Sequence, residues 1–132
     1  MLITGFFSAY SYGQQSDTMT YINPDIQPTF KYDTCSNMLS SLKKYFIYNY
    51  KMPDILLDNG YGGSVYVELI IEKDSAISNI KLKRGIDTPL DKSVLERIQT
   101  MPKWCPGNDK GKTVRSRVTI PVSIHWLYGK TE

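Results

Sequence analysis

The chain has 132 residues, 41% of them apolar and 22% charged, which is enough to build one modest core and is unlike a disordered or low-complexity polymer. A formal charge of +3 is too small to point to nucleic acid by itself. One histidine and two dispersed cysteines fall short of a four-ligand zinc set, and no nucleophile–base constellation or phosphate loop stands out, so no catalytic residue, metal, cofactor or small-molecule substrate is expected.

Residues 1–13 carry no charge, and their apolar run from Leu2 to Tyr10 is far shorter than the roughly 20 residues that span a bilayer. Ser11 and Gly13 are small residues placed for a cut before Gln14, so 1–13 is read as a signal-peptide remnant whose charged start lies upstream, with a packed or disordered N-terminus as the alternative. Residues 14–34 are polar, contain Pro24 and Pro28, and predict an extended lead-in segment. The folded domain is expected over 35–128.

From Cys35 to Asn49 the apolar residues Met38, Leu39, Leu42, Tyr45 and Phe46 form a helical stripe, with Thr34 or Ser36 as the cap and Pro53 as the stop. Asn59 to Gly63 reads as a turn. Ser64–Lys73 and Ile77–Arg84 read as an antiparallel hairpin around Asp74 and Ser75, with Ile80 and Leu82 inward. Leu90–Met101 is a second amphipathic helix, started by Asp87 or Thr88 with Pro89 in its first turn and stopped by Pro102.

A Pro-Trp-Cys-Pro-Gly corner and a polar turn then lead into the longest strand, which runs to Trp126. Its even positions Val114, Ser116, Val118, Ile120, Val122, Ile124 and Trp126 are mostly apolar; its odd positions Arg115, Arg117, Thr119, Pro121, Ser123 and His125 are mostly polar. Proline cannot donate to a ladder, so Pro121 predicts a sheet edge near residue 121. A long edge strand is open to pairing with a second chain. The order helix, strand, strand, helix, strand predicts an α+β fold with two helices packed on one face of a three-stranded antiparallel sheet.

Two spaced motifs carry a resemblance: Met101-Pro102-Lys103-Trp104 with Pro106-Gly107, and Gly111-Lys112 followed by Val114. With Tyr50-Lys51-Met52-Pro53, Gly63-Ser64-Val65-Tyr66-Val67 and Ile120-Pro121-Val122, they make the chain resemble the TonB C-terminal domain family, particularly its Bacteroidetes-type members, over roughly 36–126. The resemblance implies a periplasmic, cell-envelope, non-enzymatic module in TonB-dependent transport. It would bind the TonB box of outer-membrane transporters by strand addition along Arg115, Ser116, Arg117, Val118, Thr119, Ile120, Pro121, Val122 and Ser123. Arg115 and Arg117 would steer acidic flanks of that segment, or else act only as a solvated, anti-aggregating face.

Neither the transmembrane helix nor the Pro-rich spacer of full-length transducers is found in these residues, so force transmission would need a longer gene product. A homodimer through the same edge is the alternative reading. Nucleic-acid binding through residues such as Lys81, Lys83 and Arg84 is disfavoured by the low net charge and the signal-like start. In an oxidising envelope Cys35 and Cys105 suggest a disulfide, two separate thiols being the alternative.

Overall fold

The computed structural model describes residues 19–30, 32 and 37–128. In chain order they hold strand β1 (Thr20–Tyr21), helix α1 (Met38–Asn49), a 3-10 helix (Asp54–Asn59), strands β2 (Ser64–Ile71) and β3 (Ile77–Arg84), helix α2 (Thr88–Gln99), strands β4 (Gly107–Asp109) and β5 (Lys112–Ser123), and a one-turn helix α3 (Ile124–Leu127). No described helix is long and apolar enough to cross a membrane.

The sheet has five strands and is mixed, which corrects the expectation of three antiparallel strands. Its main path runs β1-β5-β2-β3, and β4 pairs with β5 as the other arm of a hairpin. The predicted antiparallel trio β5-β2-β3 is its centre; β1 adds a parallel neighbour to β5 through Thr20↔Arg115 and Tyr21↔Ser116. A strand of two residues has no period to detect, and β4 lies inside what reads as a polar turn.

The alternation of β5 places Val114, Ser116, Ile120 and Val122 in the interior, against Val65, Val67, Leu69 and Ile71 of β2. Each fully buried aliphatic side chain contributes about 1.5–3 kcal/mol of gross transfer free energy. Leu42, Tyr45 and Phe46 of α1 and Leu90, Val94 and Ile98 of α2 complete this core. Asn37 caps α1, its side chain accepting from Ser40 N–H at 2.8 Å; Thr34 and Ser36, the predicted caps, lie outside the described residues. Helix α2 starts at Asp87 as read from sequence, with Pro89 in its first turn, but it ends at Gln99 rather than Met101. Its N-terminus is held by the buried carboxylate of Asp91, which accepts from Ile86 N–H at 2.9 Å.

Two local expectations fail. Leu82, predicted inward, is 37% exposed, because β3 is an outer strand and only β2 flanks it. The long strand stops at Ser123 instead of Trp126: the Ser123 side chain accepts from His125 N–H, and residues 124–127 turn helical, leaving His125 exposed.

Gly107 marks the closest backbone approach in the corner before β5. A Cβ there would lie 2.5 Å from Ser116 Oγ and 3.1 Å from the carbonyl oxygen of Ile26. Gly107→Ala is therefore expected to cost about 1–3 kcal/mol, read as a lower urea midpoint with an unchanged slope.

Candidate functional site

The ladder between β5 and β2 fixes which backbone groups are available. Ile124 N–H donates to the Gly63 carbonyl at 2.9 Å, and the register then runs without interruption from Ser64↔Ser123 to Ile71↔Ser116. Hydrogen-bonded pairs alternate with non-bonded ones in an antiparallel ladder, so Val122, Ile120, Val118 and Ser116 spend their N–H and C=O on β2. Arg117, Thr119, Pro121 and Ser123 aim theirs the other way. Pro121, whose ring nitrogen has no proton, thus sits where a donor is missing only from the outer side, which is the position its chemistry requires.

That outer side is covered at one end. β1 lies against Arg115 and Ser116, after which the chain bends away at Ile22 and Asn23. From Thr119 to Ser123 no strand pairs with the outer edge among the described residues. β5 is therefore internal at residues 115–116 and an edge strand beyond them, and the span Arg115–Ser123 expected from the sequence is not uniformly accessible. Its even members Ser116, Val118, Ile120 and Val122 point inward; Thr119 and Arg117 are exposed, and Arg115, Pro121 and Ser123 are half-buried.

The two arginines are engaged within the sheet. Arg115 Nε donates to Glu72 Oε1 at 2.8 Å, and its Nη1 donates to Thr20 Oγ1, tying β1 to the end of β2. The Ser78 hydroxyl donates to the other oxygen of Glu72. Burial alone would push the Glu72 carboxyl up, but the Ser78 hydroxyl and the Arg115 guanidinium outweigh it and hold the group below its ordinary value. Arg117 lies 3.8 Å from Glu68, which also faces Lys83 at 4.0 Å; pairs this long and exposed contribute about 0–1 kcal/mol.

The stretch Met101–Gly107 builds the corner that holds the lead-in segment. Trp104 is buried, its N–H donating from the backbone to the Ser75 carbonyl of the β2–β3 turn at 3.1 Å, and its ring packs 5.2 Å from Phe30. Thr29 and Cys105 exchange both backbone bonds, at 3.0 and 2.8 Å, as do Ile26 and Asn108 at 2.8 Å. Asp25 closes the arrangement by accepting from Lys110 N–H at 3.0 Å. Met101 is buried and Pro106 half-buried, while Pro102, Lys103 and Lys112 are exposed; Gly111 takes a φ of 82° in the β4–β5 turn. Cys105 is exposed, and Cys35 lies outside the described residues, as does segment 1–13.

Pinned in this way, the lead-in segment leaves a groove of about 410 Å³ beside the open edge, between Ile22 and Pro28 on one side and Arg117, Val118 and Thr119 on the other, with Met38 of α1 contributing to its lining. Sequence reading overlooked Ile22, Pro28 and Met38 as site residues. Phe30, a large apolar residue in a polar stretch and fully buried, was the available signal that this stretch packs on the core.

Comparison with known proteins gives one family and one structure. A sequence model of the family described as Gram-negative bacterial TonB protein C-terminal matches residues 49–125. Among solved structures, the chain is similar to the Helicobacter pylori TonB C-terminal domain determined by NMR in solution, at 23% identity over 68% of this chain and 84% of that one, with a TM-score of 0.42. No curated protein matches the chain.

Glu72 gives a pH test of the clasp on β1. A carboxyl whose value is depressed on folding contributes stability that is present above its unfolded value and lost as pH falls through the folded one. Glu72→Gln is expected to cost about 1 kcal/mol at pH 7 and progressively less as pH falls below the ordinary carboxylate range, measured as the gap between the wild-type and variant urea midpoints.

Proposed function

The chain belongs to the Gram-negative bacterial TonB protein C-terminal family, and on that premise we propose that it is a cell-envelope binding module that receives an extended segment of an outer-membrane transporter, the TonB box, as an added strand along the outer edge of β5. Its role in TonB-dependent transport is recognition, without chemistry of its own. The carrying observation is the row of outward-aimed backbone groups at Thr119, Pro121 and Ser123, which no described strand pairs. Main-chain hydrogen bonds supply the affinity of such a complex. Because Pro121 has no N–H, the incoming strand depends on Thr119 and Ser123 as donors and on the Thr119, Pro121 and Ser123 carbonyls as acceptors.

The opposite edge favours this choice. β3 pairs with β2 through two register shifts, contains Asn79 at a φ of 49°, and displays exposed Lys81, Lys83 and Arg84. Irregular pairing and lysines are devices that discourage strand addition. The edge of β5 from Thr119 to Ser123 is regular in its pairing with β2 and carries no lysine.

Titration of the labelled protein with N-terminal peptides of TonB-dependent transporters from the same genome tests the reading. Saturable NMR shifts concentrated on 117–123 are expected, and Thr119→Pro, which removes the central donor, is expected to weaken binding at least about tenfold. Absence of shifts at millimolar peptide, or shifts confined to β3, would sink it.

A further inference from the structure

Val118 is the one core-facing residue of β5 that is not fully covered: Val114, Ser116, Ile120 and Val122 are buried, whereas Val118 is half-buried. The groove beside it is bordered by two further apolar side chains from separate segments, Ile22 at 62% exposure and half-buried Met38. These three residues border one groove that wraps the sheet edge, with Val118 and Met38 on its core side and Glu68, Arg117 and Thr119 on the other. Exposed apolar surface converging from three segments onto one gap signals a binding site more than scattered single residues do.

A strand laid beside β5 alternates its side chains between the two faces of the sheet. The residue neighbouring Val118 points to the core face and into the gap. Its two neighbours point to the opposite face, beside exposed Thr119 and the Arg117–Glu68 pair. We propose that the gap is a side-chain pocket that takes one apolar residue, of leucine or methionine size, from an extended peptide on the β5 edge, and that Ile22, Met38 and Val118 set the partner's polar–apolar–polar pattern. This rests on the strand-addition reading and adds the lead-in segment to the recognition surface. The lead-in can act as a wall because Ile26, Thr29 and Phe30 anchor it to the corner and the core.

The test uses the full chain and the tightest-binding transporter peptide, with each peptide position changed in turn to Ala and to Asp. One apolar position should lose about tenfold in affinity on change to Ala, the loss expected from one unburied aliphatic side chain. Ile22→Asp, at an exposed position, should lower affinity for the parent peptide by about the same factor and reduce the parent-to-alanine ratio below about twofold. The peptide-induced shifts at Thr119 and Ser123 should persist, and Ile22→Ala should fall between the two. An unchanged ratio in Ile22→Asp overturns the pocket while leaving strand addition intact. Failure of every peptide to bind the wild-type chain overturns both.

Discussion

One parity along β5 sets both the core and the open edge. In a strand, side-chain direction and backbone direction alternate with the same period of two. Residues of β5 that face the core therefore also spend their backbone bonds on β2, as Ile120 and Val122 do. Residues that face solvent, Thr119 and Pro121 among them, aim their backbone at the outer edge. The two roles cannot be tuned independently. A one-residue slip would expose the aliphatic row and turn the proline toward β2, where its missing donor would leave a gap in the ladder.

The Met101–Gly107 corner extends this order to the lead-in segment. Trp104 connects the β2–β3 turn to Phe30, and Gly107 lets the corner close over Ser116. Backbone exchange at Thr29–Cys105 and Ile26–Asn108 then fixes a stretch that has little regular structure of its own. Burial of Phe30 and these four bonds offset the entropy of ordering that stretch. The motif is structural in its contacts, and it decides where the far wall of the groove beside β5 stands.

Charge plays a smaller part on this surface than the arginines at first indicate. Arg115 is committed to Glu72 and Thr20, and Arg117 leans toward Glu68, so much of their positive charge is compensated within the sheet. Pairing of these residues clasps β1 at one end of the edge and leaves the other end to hydrogen bonding and apolar contact. That division places the start of the unpaired edge at the point where β1 ends.

The sequence by itself determined the two helices, the β2–β3 hairpin, the inward row of β5 and the position of a sheet edge at Pro121, because periodicity and proline chemistry are local properties of the chain. The family was legible for a similar reason: its motifs are contiguous runs at fixed spacing. Only tertiary structure decided that the strand ends at Ser123, that β1 and β4 enlarge the sheet, that Arg115 is clasped, and that Ile22 and Met38 border a groove with Val118. Those features depend on contacts between residues far apart in sequence, Thr20 with Arg115 or Phe30 with Trp104, and no local pattern encodes which distant partner a residue will meet.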